Sequence, residues 1–93
     1  MVFNEFGEEI NEEDVKDIAI RFRKMPLWKV DKVWFLCGFI CEQRPERFKA
    51  LNEAQINLIK SDTESAETAV WTLVSETKID EVKQNLRKVE ESE

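Results

Sequence analysis

Apolar side chains recur at helical spacing near the start of the chain. Their intervals of three, four and three residues give the stripe of a helix that packs one face on a core. The positions in this stripe are Val15, Ile18, Phe22 and Met25. Asn11 precedes it as a candidate N-cap, and the acidic residues that follow suit the positive end of a helix. Because Pro26 stops the pattern, the sequence predicts a first helix over about 12–25.

The most apolar stretch of the chain is 33–41, which carries no charged residue. As a helix it is apolar around almost its whole circumference, so we expect it to be enclosed on most sides. Gly38 within it predicts close approach of a neighbouring helix, because glycine otherwise weakens a helix interior. A buried strand is the alternative, since periodicity does not separate the two. The helical flanks favour a central helix over about 30–44.

The start of this central helix has two candidate positions. Asp31 is a possible N-cap, which would leave Leu27 and Trp28 as a short apolar connector. Pro26 at the first helical position offers an earlier start.

A third helix is predicted over 45–60, beginning at a proline that suits the first helical position. Asn52 is a possible internal cap, so two shorter helices over the same residues are the alternative.

The last two predicted helices begin at polar caps. Ser61 and Glu64 fit a capping box that starts a helix over 64–76. Its buried stripe is Ala66, Ala69, Val70, Leu73 and Val74. Asp80 is the candidate cap of a final helix. The stripe of that helix is Ile79, Val82, Leu86 and Val89.

These elements predict an all-α fold, a compact bundle of four to five helices around the central helix. We expect an acidic N-terminal arm over 1–11, a single helical domain over 12–90 and a frayed tail over 91–93. Gly7 weakens any helix in the arm. The arm is therefore expected to place Phe3 and Phe6 against the domain or against a partner.

Charge is distributed unevenly along the 93 residues, whose net charge is −6. Residues 1–14 hold six carboxylates and no base, 15–50 hold nine bases and four acids, and 51–93 hold five bases and ten acids. A basic middle between acidic ends is neutralised either within the fold or by a second subunit.

The composition argues against most catalytic chemistry. The chain has no histidine, which removes histidine-based triads and most zinc sites. Two glycines form no phosphate-binding loop, and two cysteines do not complete a zinc site. Acidic residues 8–13 resemble no calcium loop and are interpreted as a solvated surface. We expect no catalytic, cofactor-binding or metal site.

The sequence also predicts a cytoplasmic location. No uncharged apolar run reaches the ~18 residues that span a membrane, so we expect no membrane partner. The first residues are acidic where a signal peptide is basic. Cys37 and Cys41 are then interpreted as small reduced core residues.

The basic segment 21–32 is the most suggestive polar feature, because bases interleaved with aromatics bind phosphates and stack on nucleobases. Its bases are Arg21, Arg23, Lys24, Lys29 and Lys32. The sequence pI of about 4.8 argues against nucleic acid as the main partner. A helix-turn-helix over 52–74 is rejected, since its second helix has acids and no base.

We therefore predict a small non-enzymatic protein-binding module, with a nucleic-acid-associated protein as the alternative. The same general character is found in small adaptor, inhibitor and assembly proteins, some of them phage-encoded. Aromatic content also makes a homodimer plausible. The candidate contact residues are Phe3, Phe6, Arg21, Arg23, Lys24, Trp28, Lys29 and Trp71.

Overall fold

The computed structural model describes residues 2–38 and 57–92. Two short strands come first, β1 (Val2–Phe3) and β2 (Glu9–Ile10). Four helices follow within the described residues: α1 (Glu12–Lys24), α2 (Leu27–Gly38), α3 (Thr63–Glu76) and α4 (Ile79–Glu90). Residues 57–61 are also helical. The predicted all-α bundle is confirmed, with a small β-hairpin added to it.

Helix α1 matches its sequence pattern closely. The Asn11 side-chain oxygen accepts a hydrogen bond of 2.9 Å from the backbone N–H of Glu13, which satisfies one free donor of the first turn. The helix ends at Lys24, and Met25 follows in an extended conformation that the next proline favours. All four residues of the predicted stripe are buried.

Helix α2 begins earlier than the Asp31 cap predicts. It starts at Leu27, so Trp28 lies in its first turn and the expected connector is absent from this part of the chain. The backbone N–H of Lys29 donates to the carbonyl oxygen of Pro26 at 3.0 Å. The helix can start here because Pro26 has no backbone N–H that would be left unpaired in the first turn. Its carbonyl oxygen accepts the first hydrogen bonds of the helix.

The prediction that α2 is enclosed on most sides is wrong for its described residues. Val33, Trp34 and Cys37 are buried, and the Trp34 ring lies 5.5 Å from that of Phe22. Phe35, however, is 59% exposed. Among the described elements, helix α2 contacts α4 most, and the side that carries Phe35 faces solvent despite its apolar residues. The surroundings of Gly38 and the predicted continuation to 44 lie outside the described residues.

Helices α3 and α4 begin at caps other than those predicted. Asp62, not Ser61, caps α3, and its carboxylate accepts from the backbone N–H of Ser65 at 2.7 Å. Ser61 still belongs to the preceding helical residues, which removes it from the cap position. Helix α4 starts at Ile79, so Asp80 lies in its first turn instead of capping it. Most of the predicted helix 45–60, including Asn52, lies outside the described residues.

The N-terminal arm is a β-hairpin in the structure. Val2 pairs with Ile10 and Phe3 with Glu9 in an antiparallel arrangement. The turn requires Gly7, whose φ of 76° is strained for other residues. Cross-strand partners lie on the same face of a hairpin. Because Ile10 is buried, the face with Phe3 and Glu9 points outward.

Two pairs of contacts show how the helices run. Lys83 contacts Asp14, and Arg21 contacts Glu90, each pair 69 residues apart, so α1 and α4 run in the same direction. Helix α2 runs opposite to α4, since its start lies near Glu90 and Cys37 near its end accepts from Asn85. The end of α1 lies at the start of α3, and these two helices are therefore antiparallel.

All four helices contribute to one core. Its buried apolar residues in the helices are Val15, Ile18, Ala19, Phe22, Val30, Val33, Trp34, Cys37, Ala66, Ala69, Val70, Leu73, Val74, Val82, Leu86 and Val89. Ile10 of the hairpin, Met25 and Ile59 complete it. The predicted stripes of α3 and α4 are confirmed, with Ile79 only partly buried.

Candidate protein-binding surface

Three large apolar side chains lie exposed on helix α2. Leu27 is 48% exposed, Trp28 53% and Phe35 59%. Trp28 and Phe35 are seven residues apart, about two helical turns, so they lie on the same side of the helix. Asp31 and Lys32 lie between them and are also exposed. We refer to these five residues as the α2 face.

Lysine side chains border the α2 face. The Lys29 ammonium lies 5.5 Å from the centre of the Trp28 ring, within the range of a cation–π contact. It also donates to the backbone oxygen of Glu90 at 3.4 Å. The ammonium groups of Lys24 and Lys32 form no ion pair with the described residues. The border of this apolar surface is therefore positively charged.

A shallow groove of about 270 Å³ adjoins this face where α1 meets α2. Its walls are Arg21, Lys24, Met25, Pro26, Lys29 and Glu90. The groove is open to solvent and brings together three of the predicted contact residues. Trp28 directly precedes Lys29, one of its walls, in the chain.

Arg21 is occupied within the fold. Its guanidinium binds both carboxylate oxygens of Glu90, with Nε donating to Oε2 at 3.0 Å and Nη2 donating to Oε1, and Nη1 donates to Asp17 at 3.4 Å. The hydrogen bond with Glu90 raises the pKa of Arg21, and the same bond lowers the pKa of Glu90. Arg21 thus joins α1 to α4 and contributes little charge for a partner.

Arg23 points to a different part of the molecule. Its Nη1 donates to the Thr63 hydroxyl oxygen at 2.8 Å, at the start of α3. The adjacent Asp62 has a lowered pKa, first because of the hydrogen bond from the Ser65 backbone and to a smaller extent because of Arg23. Arg23 therefore links two helices and is not a wall of the groove.

The hairpin forms a second exposed apolar surface. Phe3 is 56% exposed and Phe6 43%, and the Lys78 ammonium lies 5.7 Å from the centre of the Phe6 ring. Neither phenylalanine is inserted into the core. Glu5 and Glu9 are exposed beside them. We refer to Phe3, Glu5, Phe6 and Glu9 as the hairpin tip.

A hydrogen-bond network fixes the hairpin to the start of α4. The Asn4 side-chain oxygen accepts from the backbone N–H groups of Phe6 and Glu8, both at 3.0 Å. Its amide group donates to the Glu8 carboxylate at 2.9 Å and to the Thr77 backbone oxygen at 3.4 Å. The same Glu8 oxygen accepts from the backbone N–H of Ile79 at 3.1 Å.

The Glu8 side chain therefore caps the N-terminus of α4, because Lys78 at the N-cap position makes no side-chain hydrogen bond to this helix. The hydrogen bond from Asn4 and then that from Ile79 lower the pKa of Glu8. A carboxylate at this position also suits the positive end of α4.

The structure divides the predicted contact residues into separate groups. Arg21, Lys24, Trp28 and Lys29 come together where α1 meets α2 and at the end of α4. Phe3 and Phe6 lie at the opposite end of α4, beside its first residues. Arg23 and Trp71 belong to neither group, and Trp71 is partly buried against the core.

Sequence reasoning did not include Leu27 and Phe35 among the contact residues. The seven-residue spacing of Trp28 and Phe35 around Asp31 and Lys32 was the available signal, since charged residues at i+3 and i+4 mark a solvent-facing side. The role of Asn4 and Glu8 was also missed. Asn4 followed by Gly7 was the local signal for a turn.

The described residues show no arrangement suited to binding a metal ion. Within 2–38 and 57–92, no three histidine, cysteine, aspartate or glutamate side chains cluster in this way. Burial raises the pKa of the Cys37 thiol to about 11, so it stays protonated at neutral pH. This agrees with the interpretation of Cys37 as a core residue, whereas Cys41 lies outside the described range.

The chain matches no protein-family model, no curated protein and no solved structure. Among the helices described in 2–38 and 57–92, none has the length and apolar character needed to cross a lipid bilayer. Function must therefore be argued from the two exposed surfaces themselves.

Proposed function

We propose that this protein is a small non-enzymatic binding module, of the adaptor, inhibitor or assembly type, and that the α2 face contacts its protein partner. The observation that supports this is the exposure of Leu27, Trp28 and Phe35 on one helix, whereas the apolar stripes of α1, α3 and α4 are buried. Exposed tryptophan is enriched at the energetic centre of protein interfaces. On sequence grounds we place the protein in the cytoplasm.

The charge around this face defines the chemistry of the partner. Lys24, Lys29 and Lys32 surround the apolar side chains, and Asp31 is the acidic residue within the face. Complementary charge accelerates encounter and excludes wrong partners. The expected partner therefore presents apolar side chains next to carboxylates.

A comparison of variants tests this function. Wild type, Trp28→Ser and Ile20→Ser are immobilised, and the proteins that each one retains from the native cell are identified. Ile20 is 47% exposed on α1 and is a control for exposed apolar surface outside the α2 face. We expect a partner that wild type and Ile20→Ser retain and Trp28→Ser loses. Equal retention by all three would show that the α2 face is not the binding surface.

Nucleic acid is the second candidate, because an exposed tryptophan beside lysines also stacks on bases. Three of the five predicted phosphate-binding residues are engaged within the fold, Arg21 and Lys29 with Glu90 and Arg23 with Thr63. A titration of labelled single strands at increasing salt separates the candidates. Affinity that falls steeply with salt and is lost in Lys24→Glu/Lys32→Glu would replace the protein-binding proposal by this one.

A further inference from the structure

We propose that the partner of the α2 face is the hairpin tip of a second copy of this chain, so that copies associate head to tail. This inference rests on the proposed function, because it names the partner of the same surface. It starts from the fact that the protein exposes one apolar surface with acidic side chains, the hairpin tip, and another, the α2 face, that is bordered by lysines.

Each surface places an aromatic ring beside a charged side chain. On the hairpin, Phe3 and Glu9 are cross-strand partners on the outward face. On α2, Trp28 and Lys32 are four residues apart and thus adjacent on the helix surface. When the tip docks on the α2 face, the Phe3 ring meets the Trp28 ring and the Glu9 carboxylate meets the Lys32 ammonium. The hairpin tip therefore has the apolar and acidic character that the α2 face requires.

The wider charge distribution supports the same pairing. Residues 5–13 contain five glutamates and no base, whereas Lys24, Lys29 and Lys32 surround the α2 face. The net charge of −6 opposes association of two copies in general. At physiological salt, charges farther apart than about 8 Å are largely screened, so the two surfaces in contact determine the outcome.

The positions of the two surfaces require head-to-tail geometry. Glu8 of the hairpin binds the first residue of α4, whereas Lys29, next to Trp28, binds the last. These residues are about 16 Å apart along the helix, at a rise of about 1.5 Å per residue. One copy cannot bring its own tip to its own Trp28 while the hairpin remains in place. Each copy uses one surface per contact, which is a heterologous interface.

Sedimentation velocity on the full chain tests this geometry with two substitutions, Phe3→Ser and Trp28→Ser. Both side chains are more than half exposed, so neither change removes core packing. We expect the mass of wild type to increase with concentration. Each variant alone should associate at least about tenfold more weakly than wild type, because it lacks one half of every contact.

The decisive measurement is an equimolar mixture of the two variants. Trp28→Ser retains an intact hairpin tip and Phe3→Ser retains an intact α2 face, so the mixture should form a complex of two chains and stop there. Ile20→Ser should associate as wild type does. Circular dichroism of each variant verifies that it is folded.

Each other outcome overturns the inference in a recognisable way. If one variant alone associates as strongly as wild type, the contact joins two identical surfaces. If wild type associates and the mixture does not, the hairpin tip does not dock on the α2 face. If wild type stays monomeric at every concentration while Trp28→Ser loses a partner from the cell, self-association is wrong and the proposed function stands. If Trp28→Ser also loses no partner, both are wrong.

Discussion

The two ends of helix α4 are joined to the rest of the molecule by different chemistry. At its first residue, the hairpin supplies a buried amide and a carboxylate that bind backbone groups, through Asn4 and Glu8. At its last turn, a partly exposed ion pair joins Glu90 to Arg21. Backbone donors and acceptors removed from water are costly to leave unpaired, whereas an exposed ion pair contributes little. The hairpin end should therefore be the more stable end.

The largest expected effect is that of Asn4→Ala. Asn4 is 8% exposed and its side chain takes part in four hydrogen bonds, so its loss leaves buried backbone groups unpaired. We expect a loss of about 2 kcal/mol in the free energy of unfolding. Urea denaturation measures it. Asn85→Ala is the matched control, because Asn85 donates to the weak acceptor sulfur of Cys37 and should cost clearly less. Equal losses would show that the hairpin network does not hold this end.

A smaller loss is expected from Glu8→Ala, which removes the acceptor of the Ile79 backbone N–H. Hydrogen exchange should show reduced protection of this amide and of its neighbours in the first turn of α4. Glu8→Gln retains an oxygen acceptor and should have an intermediate effect, since only the charge is lost. Glu5→Ala, at an exposed position of the same hairpin, should leave the exchange unchanged.

The pH dependence of stability extends this comparison. The pKa values of Glu8 and Glu90 are lowered from 4.5, so each carboxylate stabilises the folded state above that pH. The contribution decreases as pH falls below 4.5 and through the folded pKa. Urea denaturation between pH 7 and pH 3 should show the difference between wild type and Glu8→Gln shrinking with acidification. A difference that grows at low pH would contradict the assignment.

The smallest expected effect at either end is that of Arg21→Ala. Its side chain is 31% exposed, and pairs of this kind contribute about 0.5 kcal/mol. The loss should decrease when salt is added, because exposed charges are screened. Lys16→Ala is the control, since its contact with Glu12 is 4.0 Å long and more exposed. A loss larger than that of Asn4→Ala would reverse the comparison of the two ends.

The elements predicted well from the sequence are those whose burial is decided locally. Helices α1 and α4 carry narrow apolar stripes between charged residues, so only one face can enter a core, and every predicted stripe residue except the partly buried Ile79 is buried. Asn11 was recognised as a cap because its partner, Glu13, lies two residues away. Spacing alone contains this information.

Features decided by distant contacts were not predictable in this way. The second half of helix α2, from Val33 onward, carries no charged residue, so only the spacing of Phe35 from Trp28 around Asp31 and Lys32 indicates that Phe35 faces solvent. The cap of α4 comes from Glu8, 71 residues earlier, and no local pattern joins it to Ile79. The hairpin strands have two residues each, too few for an alternation to be visible.

The pairing of the hairpin and α1 with α4 also has a consequence for synthesis on the ribosome. Four residues near the N-terminus form hydrogen bonds with residues that are translated 69 to 73 positions later: Asn4, Glu8, Asp14 and Arg21. At about 5–20 residues per second, this interval lasts several seconds, and α3, the helix that packs against α1, is completed only near its end. Nascent chains stalled before residue 75 should therefore bind chaperones that recognise exposed apolar segments, and full-length chains should not.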